Sequence, residues 1–210
     1  MEKVPFEQRV AETAITEAAN YKSIFVDWEY LICAEAFKNR DYYIIAAKED
    51  NYQHLLGVNS KIPPQKFFEK CIEKSLNTED FNFSKKSMSE KDVKGSVRRK
   101  IKALPLMMKL LNANMLVEEN FLKNNISCSF ASSDNSITVG FATADVSRPM
   151  TLLSKNELDT NKSSCVSLIL RRRPGESKFN QIVVGSEAAF VMNYERIKAL
   201  LGQELLVAMK

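Results

Sequence analysis

Residues 166–184 read VSLILRRRPGESKFNQIVV, and they give the clearest indication of the fold. Two apolar runs, Val166–Leu170 and Ile182–Val184, stand on either side of the turn signal Pro174-Gly175. This order of strand, turn and strand predicts an antiparallel β-hairpin. The C-terminal half of the chain should therefore contain antiparallel β-structure.

Further strands are predicted before this hairpin. Ile126–Phe130 and Ile137–Phe141 are β-rich runs separated by the polar turn residues Ser132–Asn135. Polar and apolar residues alternate from Ser136 to Phe141, which predicts a sheet with one face toward solvent. In the N-terminal half, Tyr42–Ala46 predicts a strand, and the run that begins at Ile24 also favours one.

Helical patterns dominate the first half of the chain. Phe6, Val10, Ala14 and Ala18 recur every four residues, which predicts an amphipathic helix over residues 5–20. A second helix is predicted from Pro64 to about Ser75, and a last one over about 193–207. Between them, the capping box Ser89-x-x-Asp92 predicts a helix that begins near residue 90, with a kink or a break at Pro105. Helices first and antiparallel strands later predict an α+β fold, with residues 1–20 as an N-terminal amphipathic helix and residues 21–210 as a single domain.

The composition is that of an ordinary folded protein. Its 210 residues are 45% hydrophobic and 27% charged, and the net charge of +4 permits a nucleic-acid partner without requiring one. No apolar run reaches the roughly 18 residues of a membrane span, and the acidic N-terminal segment does not resemble a secretory leader. The four cysteines are far apart, as expected of reduced thiols. We therefore expect a cytoplasmic protein with no membrane contact.

Motifs for metal and nucleotide chemistry are missing from the sequence. There is no Asp-x-Asp or His-Glu-x-x-His pattern and no glycine-rich phosphate loop. We therefore expect no metal and no cofactor. A thiol nucleophile would pair Cys71 or Cys128 with the histidine, but burial among apolar neighbours would keep either thiol protonated.

The only histidine of the chain lies in Asn51-Tyr52-Gln53-His54-Leu55-Leu56-Gly57-Val58. Asp50 or Asn51 could cap a short helical turn that carries His54 just after the predicted strand Tyr42–Ala46. An imidazole gains or loses a proton near neutral pH, so His54 is a candidate general base. The alternative is a structural histidine that is satisfied by its neighbours.

Two clusters of basic residues could bind phosphates. On the helix that begins near residue 90, Lys94, Arg98 and Lys102 share one face, and Arg99 and Lys100 lie beside it. The second cluster is Arg171-Arg172-Arg173 at a predicted strand end, where alternation sends Arg172 to the face opposite Arg171 and Arg173. The two clusters could converge on a phosphate backbone, or they could be a solvated helix face and a charged hairpin.

These residues suit the metal-free cleavage of RNA. RNA supplies its own nucleophile, the 2′-hydroxyl, so an imidazole can remove the hydroxyl proton while cationic side chains stabilise the charge on the phosphoryl oxygens. A second group is normally needed to protonate the leaving 5′-oxygen. With one histidine in the chain, that group would be a lysine, an arginine, a tyrosine or water.

Several segments together resemble a family of phage-associated nucleases, the fourth branch of the Barnase–EndoU–colicin–RelE-like group. The segments are Tyr30–Cys33, Tyr42–Ile45, Asn51–Val58, Lys94–Ile101, Ser127–Phe130, Arg148–Leu153 and Leu168–Arg172. They span roughly residues 20–186, and their order and spacing carry the resemblance.

The resemblance implies an α+β fold with N-terminal helices and a small antiparallel β-sheet in the C-terminal half. It also implies a metal-independent ribonuclease. His54 matches the histidine of the family, Ser96 with Arg98 and Arg99 matches its basic helix motif, and Arg148 matches its Arg-Pro motif. One departure is Leu56, where the family often has threonine.

Two functions follow from these observations. The first is a toxin-like endoribonuclease with His54, Ser96, Arg98 and Arg148 as catalytic residues and with RNA-binding cations at Lys94, Arg99, Lys102, Arg171 and Arg173. It predicts that His54, Arg148 and one basic cluster share a cleft, and a neutralising protein partner is possible. The alternative is a phage-encoded binding protein without enzymatic activity, for example an inhibitor of a host defence complex.

Overall fold

The computed structural model describes residues 4–207, which form six α-helices and twelve strands. The helices are α1 (Phe6–Tyr21), α2 (Asn51–Leu56), α3 (Pro64–Ile72), α4 (Glu90–Met107), α5 (Glu187–Ile197) and α6 (Gln203–Val207). The strands are β1 (Glu29–Ala34), β2 (Tyr43–Ile45), β3 (Asn59–Ser60), β4 (Phe81–Asn82), β5 (Leu116–Glu119), β6 (Leu122–Lys123), β7 (Ile126–Ser127), β8 (Phe130–Ser133), β9 (Thr138–Thr143), β10 (Ser147–Leu153), β11 (Ser163–Arg172) and β12 (Gln181–Val184).

Seven strands close into a mixed β-barrel. Their order is β1-β2-β10-β9-β8-β5-β11, and β11 returns to pair with β1 along Glu29–Ala34. All of these pairings are antiparallel except that of β10 with β2, where Ser147 lies opposite Ile45. The predicted hairpin is present, since β12 pairs antiparallel with β11.

The prediction of a small antiparallel sheet in the C-terminal half is therefore wrong. The barrel takes β1 and β2 from the N-terminal half of the chain, and the β2–β10 pairing makes it mixed. Tyr30 pairs with Arg171 across more than a hundred residues of sequence, and no local pattern indicates such a pairing.

Some local predictions also need correction. The run from Ile24 to Val26 continues α1 as a π-helical turn rather than starting a strand. Pro105 lies inside the last turn of a single helix, so α4 is not divided there. Thr138–Phe141 of β9 is buried on both faces, so the predicted solvent-facing side is absent. The last helix begins at Glu187 and is interrupted before α6.

Two cores lie on opposite faces of β1. The larger one joins α1–α4 to the face that carries Tyr30 and Ile32. The smaller one packs Phe190 of α5 and Leu205 of α6 against the face that carries Leu31 and Cys33. Each strand residue thus faces the core opposite to that of its neighbour, as strand alternation requires.

Helix α4 forms where the sequence indicates it. The hydroxyl of Ser89 accepts a hydrogen bond from the backbone N–H of Asp92 (3.2 Å), which is the predicted N-cap. Val97 and Leu104 face the core, and the basic residues lie on the other sides of the helix. In the part of the chain that the structure describes, every helix is too short or too polar to cross a membrane.

Candidate nucleic-acid interface

His54 is the exposed residue of the short helix α2. Tyr52, Leu55 and Leu56 on either side are buried, and the imidazole makes no hydrogen bond with the residues described. The Tyr52 hydroxyl donates to the carbonyl of Ala14 (2.7 Å), which fixes α2 against α1. The ring of His54 is therefore held at the surface and is open to solvent or to a ligand.

Lys100 of α4 joins the basic helix to the C-terminal end of α2. Its ammonium donates a hydrogen bond to the backbone carbonyl of His54 (3.2 Å), one of the carbonyls that the helix itself leaves unpaired. Its aliphatic chain crosses Gly57, where φ is +76° and a Cβ would lie 2.8 Å from the Lys100 Cδ. Glycine therefore suits this position both for its backbone angle and for the passage of the lysine.

A groove runs between α4 and the end of β10, next to α2. It consists of two adjoining cavities of about 290 and 230 Å³ that share Arg99 and Ser154. We call it the α4–β10 groove, and its polar lining consists of Ser96, Arg99, Lys100, Lys102, Ser136, Ser154, Lys155 and Glu157.

Positive charge dominates the α4–β10 groove. Four cations line it, and the carboxylate of Glu157 is already paired with Lys123 (2.9 Å). The buried hydroxyl of Thr138 fixes the wall opposite α4, since it donates to the carbonyl of Lys155 (2.8 Å) and accepts from the N–H of Glu157 (2.9 Å). The groove thus has a fixed wall and a lining of cations and hydroxyls, which suits a phosphate backbone.

Helix α1 occupies the other basic side of α4. Lys94 forms ion pairs with Glu7 and Glu90 (both 2.9 Å), and its ammonium lies 5.1 Å from the centre of the Phe83 ring. The guanidinium of Arg98 lies 4.9 Å from the centre of the Phe6 ring. The predicted face of Lys94, Arg98 and Lys102 is therefore divided, because only Lys102 lines the groove.

Arg148 lies in a separate cleft at the other end of α2. That cleft, of about 480 Å³, is lined by Lys48–Asp50, Glu29 and Pro174. Three carboxylates and two cations line it, so it suits a polyanion less well than the groove does. The structure does not place His54, Arg148 and a basic cluster in one cleft, and this prediction is wrong.

The three arginines at the end of β11 are engaged in contacts within the protein. Arg171 and Arg172 belong to the strand and Arg173 follows it directly, and we call the three the β11 arginines. Arg171 and Arg173 lie over Trp28, with guanidinium carbons 4.0 and 3.7 Å from a ring centre. Arg172 points to the other face and bonds Glu29 (2.8 Å). The predicted alternation is confirmed, and none of the three lines the α4–β10 groove.

The sequence matches, over residues 15–187, the family described as "phage-Barnase-EndoU-ColicinE5/D-RelE like nuclease4". The chain belongs to this nuclease family. The match covers most of the chain and confirms the resemblance found from the sequence motifs, and it implies a nucleic-acid substrate. Comparison with curated proteins and with solved structures finds no match.

The structure brings together two motifs of the nuclease family. Ser96 and Arg99 of the basic helix motif line the groove, and Lys100 bonds the histidine motif at His54. Arg98 of the basic helix motif and Arg148 of the Arg-Pro motif face other surfaces.

Sequence reasoning placed Lys100 beside the basic face of the helix but did not select it as a site residue, and it missed Lys155. Lys100 lies one helical turn after Ser96, so the i, i+4 spacing from that residue would have selected it. No sequence pattern indicated Lys155, because it is the turn after β10 that places this residue opposite α4.

The remaining candidate chemistry lies away from the groove. Burial raises the pKa of Cys71 to about 12 and that of Cys128 to about 11, which keeps both thiols protonated. Cys33 is also buried, whereas Cys165 is exposed. Within residues 4–207, no three His, Cys, Asp or Glu side chains come together as a metal-binding group.

Proposed function

We propose that the protein is a toxin-like, metal-independent endoribonuclease of phage or mobile-element origin that holds RNA in the α4–β10 groove. The observation that carries this proposal is the hydrogen bond from the Lys100 ammonium to the backbone carbonyl of His54 (3.2 Å), which holds the segment of the exposed histidine beside the cationic groove. Arg148 lies in a separate cleft and has no part in the proposed site. In an RNase of this kind, His54 removes the proton of the 2′-hydroxyl, and that oxygen attacks the adjacent phosphorus.

The groove cations stabilise the charge that develops on the phosphoryl oxygens. Arg99, Lys102 and Lys155 are exposed along the groove, so they can contact successive phosphates of a strand. Ser96 and Ser154 offer hydroxyl donors between these cations. Side-chain cations here supply the charge stabilisation that other nucleases obtain from a metal ion.

The test is cleavage of a defined RNA oligonucleotide in the presence of EDTA. We expect cleavage that leaves a 2′,3′-cyclic phosphate, no cleavage where the 2′-hydroxyl is replaced by hydrogen, and a loss of about 100-fold in rate for His54→Ala. An unchanged thermal unfolding midpoint is the control for an intact fold.

Other outcomes would point to different functions. Cleavage of the 2′-deoxy substrate would contradict attack by the 2′-hydroxyl. Tight RNA or protein binding without turnover, unaffected by His54→Ala, would support a binding protein in place of an enzyme.

A further inference from the structure

We propose that Lys100 is the second catalytic group of the site and donates the proton that the leaving 5′-oxygen requires. This inference rests on the proposed ribonuclease function and adds the residue that protonates the leaving group.

Lys100 is held in one place by two contacts. Its ammonium nitrogen bonds the carbonyl of His54, and its chain lies across Gly57, so the nitrogen is fixed at the C-terminal end of α2. The carbonyl that Lys100 binds and the imidazole belong to the same residue, His54. The contact therefore places the Lys100 ammonium beside the segment that carries His54, where Lys100 also lines the groove.

Burial, together with one neighbouring positive charge, favours the loss of a proton from Lys100. Lys85 is the neighbouring charge that acts on it, and Arg99 and Lys155 line the same cavity. Glu157 also lines that cavity but is paired with Lys123, and within residues 4–207 no carboxylate forms an ion pair with Lys100. Burial lowers the pKa of Lys100 to about 8, and the repulsion from Lys85 adds to this effect.

This environment gives Lys100 a role that the other groove cations do not share. An arginine keeps its proton throughout the working range of an enzyme, so Arg99 stabilises charge but does not transfer a proton. Lys102 and Lys155 are exposed to solvent. Lys100 is the half-buried ammonium of the groove and is tied to the histidine segment.

The proton transfers balance with His54 as the base. The 2′-oxygen forms a bond to phosphorus as its proton passes to the imidazole, and the bond from phosphorus to the 5′-oxygen breaks. The 5′-oxygen takes a proton from the Lys100 ammonium, which leaves a 2′,3′-cyclic phosphate and a 5′-hydroxyl. Exchange with water then returns the proton to Lys100 and removes it from His54.

The experiment compares two RNA oligonucleotides that differ at one atom. In the first, the scissile linkage has its normal 5′-oxygen, and in the second, sulfur replaces that oxygen, so the leaving group departs without being protonated. Lys100→Arg keeps the positive charge and can still bond the His54 carbonyl, and Lys100→Met removes both. Lys155→Met is the matched control, because it removes a cation from the same groove.

We expect Lys100→Arg to lose about 100-fold in rate on the oxygen substrate and to stay within a few-fold of the unaltered protein on the sulfur substrate. Lys155→Met should slow both substrates by the same factor. On the oxygen substrate, kcat/KM of the unaltered protein should fall as the pH rises above about 8, and Lys100→Arg should lack that descending limb.

Two results would overturn the proposal in distinguishable ways. Equal losses on both substrates for Lys100→Arg and Lys100→Met would show that Lys100 only positions α2 or attracts RNA. Failure of the unaltered protein to cleave either substrate would overturn the ribonuclease function itself.

Discussion

The α4–β10 groove and the β11 arginines both derive from basic clusters in the sequence. In the folded protein, the two clusters have different contact partners. In the groove, Arg99, Lys102 and Lys155 remain exposed or line open cavities. On β11, Arg172 bonds Glu29, and its neighbours Arg171 and Arg173 lie against Trp28. The partners that tertiary structure brings to a cluster of positive charge thus decide whether the cluster is engaged within the fold or left open to solvent.

The partners of each cluster explain this difference. The β11 arginines lie where β1 pairs with β11, so the register places Glu29 opposite Arg172. Three of the groove cations lie on α4. They face a turn that carries the fourth cation, Lys155, together with a hydroxyl and a carboxylate already engaged with Lys123. Among the residues that the structure describes, the groove therefore offers cations that are free of such partners, whereas the β11 arginines are held by a carboxylate or by Trp28. We expect substitutions in the groove to change binding and substitutions of the β11 arginines to change stability.

The largest expected effect is the loss of stability in Arg172→Ala. The Arg172 and Glu29 side chains are only 16% and 19% exposed, so removing the guanidinium leaves a largely buried carboxylate without its partner. We expect a loss of about 2 kcal/mol in the free energy of unfolding, measured by urea denaturation. The affinity for single-stranded RNA should not change. Equal stability of the variant and the unaltered protein would contradict the structural role.

An intermediate effect is expected for Arg99→Ala in the groove. Removing one phosphate contact should weaken RNA binding about five-fold, or roughly 1 kcal/mol, and lower the slope of log affinity against log salt by about 0.7. Titrations of a fluorescent oligonucleotide at several salt concentrations measure both quantities. The free energy of unfolding should change by less than about 0.5 kcal/mol, because the side chain is exposed.

Reversal of these two results would remove the contrast between the regions. If Arg172→Ala weakened RNA binding and Arg99→Ala did not, the β11 cluster would be the interface. The same two variants therefore test both halves of the comparison.

The smallest effect is expected on the side of α4 that faces α1. The hydrogen bond from Lys94 lowers the pKa of Glu7 below its usual 4.5. A carboxyl whose pKa is lowered in the folded state stabilises the fold above its unfolded pKa, and this contribution disappears as the pH falls through the folded value. At neutral pH, Glu7→Gln should cost a few tenths of a kcal/mol, since both side chains are partly exposed.

Thermal unfolding at two pH values tests the contribution of Glu7. The difference between Glu7→Gln and the unaltered protein should be present at pH 7 and should become smaller as the pH is lowered below 4.5. A difference that stayed constant over this range would show that packing, rather than the charge of Glu7, is responsible.

Much of the local structure could be predicted from the sequence. The N-cap Ser89, the helix start at Pro64 and the hairpin of β11 with β12 depend on residues close together in the chain. Closure of the barrel could not be predicted, because the pairings of β1 with β11 and of β2 with β10 join distant segments. The sequence of the short strand β2 does not indicate which strands pair with it.

The candidate site was predicted only in part. The motif residues His54, Ser96 and Arg99 lie in or beside the groove region, whereas Arg98 and Arg148 face different surfaces. Helical periodicity shows which residues share a side of α4, but it does not show which side meets α1. That choice depends on the burial of α1, whose first turn brings Phe6 and Glu7 to the basic helix.

The sequence by itself determined the family of this protein, its main helices, the β11–β12 hairpin and the opposite directions of neighbouring arginines, because these depend on motifs, local hydrogen bonds and the period of a helix or strand. Only the tertiary structure decided that the strands close into a barrel, that Lys100 binds the carbonyl of His54 and that the β11 arginines are engaged within the fold. These features depend on contacts between segments far apart in the chain. Such contacts arise only when the whole core is buried at once.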